Sequence, residues 1–135
     1  MLKKIFYQYF FVILCAAAIL FLSLFHTGSS VEIPKIKHLD KVVHFIMYAV
    51  FSFIWAESFL VQNHFKKRYL QFLFSFLFAF LYSLLMELLQ SFTKYRTADI
   101  YDAVANFWGA IGGVFIFYFS ENKILYILKN RYHRF

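Results

Sequence analysis

The residues that cross-link or punctuate a chain are scarce here: one cysteine, one proline and four glycines in 135 residues. A lone cysteine excludes an internal disulfide and any cysteine-based metal motif. Cys15 follows Val12, Ile13 and Leu14 rather than small residues, so it reads as a buried thiol and not as a lipid-attachment site. No Gly-rich phosphate loop, HExxH or GxSxG is present, which removes the commonest motif-bearing enzyme classes. Charge is also thin, at 16% of residues, with only seven acids.

What fills the chain instead is apolar. Hydrophobic residues make up 62%, above the roughly 45–50% of soluble domains. The 21 Phe and 10 Tyr suit lipid-facing surface and interfacial belts, and are read as packing. A net charge of +7 would suit nucleic acid if it lay on one exposed face, but the Lys and Arg residues fall between hydrophobic segments. They act as topology signals. The partner is the lipid bilayer, and nucleic acid is not expected.

Four apolar segments follow in order. Lys3 and Lys4 precede an uncharged run from Ile5 to Phe25, which at 1.5 Å per residue spans about 31 Å, enough for the hydrocarbon core. It is too long for the apolar part of a signal peptide and does not end in an Ala-x-Ala-like site, so it reads as a first membrane helix. Pro34 keeps the connector to Asp40 from continuing as a helix. The second span covers about 41–61, the third about 69–92 and the fourth about 98–119, with Thr97 or Asp99 able to cap it. The remainder, to Phe135, is a basic tail of the surface-lying kind. The expected fold is all-α: a four-helix transmembrane bundle with short loops, one membrane-embedded domain over 1–135.

Orientation follows from the basic residues. With both termini cytoplasmic, the inner side collects nine (Lys3, Lys4, Lys66, Lys67, Arg68, Lys123, Lys129, Arg131, Arg134), leaving five outside (Lys35, Lys37, Lys41, Lys94, Arg96). Both ends are therefore expected on the cytoplasmic side of the membrane.

The polar residues then meet at one depth. Along the fourth span, helical phase puts Asp99, Asp102, Asn106, Gly109 and Gly113 within an arc of roughly 80°. Glu87 and Gln90 share a face near the end of the third span, with Ser83 one turn away. Because successive spans alternate in direction, Asp40, Lys41, His44, Glu87, Gln90, Arg96, Asp99, Asp102 and Asn106 share one outer layer. Ionisable groups within spans turn to the bundle interior, because hydrocarbon exposure costs about 2.5–3.5 kcal/mol even on the lenient scale. Two readings stand: an ion-paired network that fixes helix register, with Gly109 and Gly113 admitting a close neighbour, or a binding site facing outward.

The ordered set Asp40-Lys41-Val42-Val43-His44-Phe45, Glu87-Leu88-Leu89-Gln90, Arg96-Thr97-Ala98-Asp99, Asp102 and Ala105-Asn106 with Gly109 and Gly113 resembles the VanZ-like membrane proteins of bacteria. The likeness carried by these residues runs from about Asp40 to Gly113. It implies a small four-helix protein of the cell envelope, in a group named after a member linked to low-level resistance to the glycopeptide teicoplanin. It supplies no biochemical activity.

Three functions are compared. In the first, the outer polar layer serves an envelope protein that handles a cell-wall precursor, a lipid-linked component or a glycopeptide. The second is an enzyme on a phosphorylated lipid headgroup, with His44 or Glu87 as general base and Asp99 with Asp102 holding a divalent cation; no cofactor is otherwise implied. A proton or ion carrier ranks last. It needs polar groups through the whole membrane depth, and the first and third spans supply few.

Overall fold

The computed structural model describes residues 2–24, 39–93 and 99–132. These form four helices: α1 (Leu2–Leu24), α2 (Leu39–Gln62), α3 (Arg68–Ser91) and α4 (Ile100–Tyr132). Among the described residues there is no strand. Helix is the conformation that lets an apolar segment satisfy every backbone polar group within itself. Leu39–Gln62, Arg68–Ser91 and Ile100–Lys123 are each long and apolar enough to cross a membrane, and a shorter apolar helix covers Tyr9–Leu24.

The fourth helix is longer than the sequence suggests. It does not stop near Phe119 but continues to Tyr132, through most of the expected tail. No glycine or proline follows Gly113 to interrupt it. Glu121 also anchors the extension: it is buried and ion-paired to Arg68 at the start of α3.

The turn between α2 and α3 is set locally. Asn63 takes a left-handed backbone, φ 52°, which its short polar side chain tolerates better than most. Its N–H donates to the Leu60 carbonyl at 3.1 Å and the His64 N–H to the Phe59 carbonyl at 3.3 Å. That pair of bonds is a Schellman motif, and His64 completes it by packing against Phe59, ring centroids 6.1 Å apart. The chain thus reverses within a few residues, and α3 runs antiparallel to α2.

Cross-helix contacts fix the remaining directions. Lys41 lies beside Asp102, His44 beside Asn106 and Phe53 beside Phe117, so α2 and α4 run parallel. Glu87 meets Asn106, Phe76 meets Phe107 and Arg68 meets Glu121, so α3 is antiparallel to α4. On the other side, Tyr82 donates to the Ala16 carbonyl at 2.7 Å, and Tyr9 packs edge-on against Trp55. Among the described residues α1 touches α2 and α3 but not α4.

The parallel α2–α4 pair is the closest in the bundle, and glycine makes it so. A Cβ on Gly109 would overlap the Phe45 backbone carbonyl, and one on Gly113 would overlap the Ala49 carbonyl and Ser52 Oγ. Two absent side chains therefore bring the helix backbones together, the small-xxx-small device of membrane helices. That approach sets the register at which the polar residues of α2 and α4 meet.

Candidate functional site: a polar chain across three helices

Around Lys41 the site forms a partly exposed rim. Its ammonium lies 2.7 Å from Asp40 Oδ2, 2.7 Å from Asp99 Oδ2 and 2.7 Å from Asp102 Oδ1. The ammonium donates to Asp40 and Asp99 and stands in ion-pair contact with Asp102. Among the described residues, one cation stands among three carboxylates at this rim.

Asp99 does two jobs there. Its Oδ1 accepts from the Tyr101 N–H at 2.9 Å, and its carbonyl accepts from the Asp102 and Ala103 N–H groups. It is therefore the N-cap of α4, one of the two residues expected to fill that role; Thr97, the other, lies outside the described residues. Lys41 first, and then the Tyr101 N–H, hold its carboxyl below the usual carboxylate range.

Asp102 connects the rim to the interior. Oδ1 faces Lys41, while Oδ2 stands 3.9 Å from His44 Nε2. On its other edge, His44 Nδ1 lies 3.0 Å from Asn106 Oδ1. Asn106 Nδ2 then donates to Glu87 Oε1 at 3.3 Å. The order is Lys41, Asp102, His44, Asn106, Glu87, alternating between α2 and α4 before reaching α3. Side-chain exposure falls inward, from 49% at Asp40 to 13% at Asp102 and 5% at His44. Asn106 is fully buried. Such depth demands partners, because a buried polar group without one costs about 1–3 kcal/mol.

Of the nine residues expected in one layer, seven join this chain or its rim: Asp40, Lys41, His44, Glu87, Asp99, Asp102 and Asn106. Gln90 is buried at the same end, but its amide donates to the Ser23 carbonyl of α1 at 3.2 Å. It ties α1 to α3. Arg96 lies outside the described residues, and with it the expectation that it pairs with Asp99, Asp102 or Glu87. Asp99 and Asp102 both lie against the Lys41 ammonium. The same ammonium occupies the point on which the rim carboxylates converge. Among the described residues no group of three His, Cys, Asp or Glu is arranged around a metal-sized point.

Sequence reasoning missed the polar cluster at the opposite end. There Arg68 pairs with buried Glu121, and Gln71 donates to the Ala56 carbonyl at 2.8 Å. The signal was available: fifteen residues beyond Asn106, Glu121 falls about 60° from it on the helical wheel, on the same side of α4. Assigning Glu121 to a tail hid that phase.

The family model described as VanZ/LLP1 matches residues 5–124. That match takes in all four helices, including the first span, for which the sequence motifs gave no support. No curated protein and no solved structure matches the chain. Motif order, helical fold and family match agree, and the chain belongs to the VanZ/LLP1 family.

Proposed function

We propose that the protein is a multi-pass component of the bacterial cytoplasmic membrane, both termini inside, whose polar chain opens to the outer face and binds an envelope component. The ligand classes are a cell-wall precursor, a lipid-linked substrate or a glycopeptide, and the consequence is a changed response to glycopeptide antibiotics. One observation carries this reading: polar side chains follow one another from the partly exposed Asp40 and Asp99 to the buried Glu87, with one 3.9 Å step between Asp102 and His44, all at one end of the bundle. A register-setting ion pair needs only two residues, whereas this chain spends three further polar groups, His44, Asn106 and Glu87, in carrying polarity inward. The outward sense rests on the nine-to-five division of basic residues.

Glu87→Gln tests it. The substitution keeps shape and hydrogen-bonding capacity, so the variant should still fold and insert. Glycopeptide susceptibility of cells expressing the variant should shift towards that of cells without the protein, while melting in detergent stays at the wild-type value. A wild-type phenotype, or a phenotype lost only in proportion to early melting, would reject the site in favour of a scaffold.

A second reading, an enzyme acting on a phosphorylated or lipid-linked envelope substrate, draws support from His44. It is an imidazole held on one edge by an amide, with its other nitrogen beyond hydrogen-bond distance of Asp102. A divalent cation at Asp99 and Asp102 would first have to displace Lys41.

A further inference from the structure

Asn106 is a link whose two ends differ in kind, since a primary amide accepts on one side and donates on the other. A carboxylate accepts only. Glu87 Oε1 beside Asn106 therefore selects Nδ2 for that contact, at 3.3 Å, and turns Oδ1 towards His44. Oδ1 in turn can only accept, so the 3.0 Å contact to His44 Nδ1 requires a proton on Nδ1. In the neutral ring the other nitrogen, Nε2, is then unprotonated and carries the lone pair. It faces Asp102 Oδ2 at 3.9 Å, on the side that leads to the rim.

We propose that ionised Glu87, acting from α3 through Asn106, holds the His44 proton on Nδ1 and so presents Nε2 as the basic atom of the site. This inference rests on the reading of the polar chain as a functional site, and it assigns parts within it. His44 is the proton acceptor, while Asn106 and Glu87 are positioning residues. A proton taken from a ligand at the rim passes to Nε2, giving an imidazolium whose charge Asp102 compensates from one side. Lys41 neighbours the same Asp102, so the imidazolium and the ammonium share that carboxylate. If Glu87 takes up a proton it becomes a donor, Asn106 can turn over, and the proton on His44 moves to Nε2. The site then loses its base without losing a residue.

The arrangement is specific because an unconstrained histidine side chain favours the opposite tautomer, with the proton on Nε2. The test reads the tautomer directly. Full-length protein in detergent, labelled with ¹⁵N-histidine, is examined by long-range ¹H–¹⁵N correlation near pH 8, about 1.5 units above the ordinary imidazole pKa of about 6.5. The His44 signal is identified by its loss in His44→Gln. Wild type should show a protonated Nδ1 and an unprotonated Nε2. In Glu87→Gln the side chain accepts or donates equally well, the selection is gone, and the Nε2-protonated tautomer should become the major form. The double variant Glu87→Gln/Asn106→Asp should restore Nδ1 protonation, because an aspartate beside Nδ1 can only accept. A merely structural role for Glu87 would produce neither the reversal nor the rescue.

Nε2 protonation in the wild-type protein, or a tautomer unaffected by Glu87→Gln, overturns the inference, and the wild-type spectrum decides alone if the variants do not fold. The functional reading fails separately. A reversed tautomer with a full envelope phenotype would sink the site and leave the relay standing; a lost phenotype with an unchanged tautomer would do the opposite.

Discussion

Lys41 is the residue on which the rim depends. Its removal takes away the cation that Asp40, Asp99 and Asp102 share among the described residues. Fully exposed pairs contribute about 0–1 kcal/mol and breaking a buried one costs about 3–5, so the partly exposed Lys41→Met should cost roughly 1–3 kcal/mol. Adding Asp102→Asn should recover part of that loss, which a double-mutant cycle of denaturation midpoints would reveal; strictly additive losses would mean that the two side chains are not coupled. Asp99 supplies a pH test. Its carboxyl is held below its usual range in the folded protein, so its contribution is present above the unfolded pKa of about 3.9 and is lost as pH falls through the lower folded value. Asp99→Asn keeps a good N-cap but removes the charge, and should flatten the acid limb of the melting profile below about pH 4. Asp99→Ala should also lower the melting temperature at neutral pH, because the cap goes with the charge. An acid limb as steep in Asp99→Asn as in wild type would remove Asp99 from the account.

At the scale of elements, the α2–α4 contact decides which residues meet. Gly113 and Gly112 are adjacent in sequence and opposite in consequence. A methyl at 113 would strike the Ala49 carbonyl and Ser52 Oγ, whereas one at 112 meets only the tip of the Phe45 ring at 3.3 Å. Gly113→Ala should therefore destabilise by about 1–3 kcal/mol through overpacking. Gly112→Ala should be neutral or stabilising by up to about 1 kcal/mol, since alanine is the better helix former and a ring edge can move. Thermal melting of the two variants side by side checks the pair, and equal effects would mean that the helices can separate without cost. Gly113→Ala should also disturb the His44–Asn106 contact, because both depend on the same α2–α4 register.

For the whole molecule, the alternation of helix directions puts the polar chain at one end and the Arg68–Glu121 pair at the other. With Cys15 replaced, an impermeant thiol reagent applied to intact cells should modify Ser30→Cys and Thr93→Cys but not Lys66→Cys; the reverse pattern would turn the site inward and end the proposed function. The helical class, the approximate spans and the meeting of seven of the nine residues expected in one polar layer were legible in the sequence because hydropathy and helical phase are local properties that need no knowledge of partners. Asp99 could be named as a cap for the same reason. Pairing was not legible. Arg96 and Lys41 stood as equal cations in the sequence, and only the approach of α2 to α4 delivered Lys41 to Asp99 and Asp102. Gln90 shares a helical face with Glu87, yet the position of α1 drew it to the Ser23 carbonyl. Glu121 looked like part of a tail until Arg68 of α3 was seen beside it. Hydrophobic pattern sets where each residue lies along and around its own helix; which helix stands opposite, and at what register, is decided by backbone packing at Gly109 and Gly113, a contact between residues some 64 positions apart in sequence.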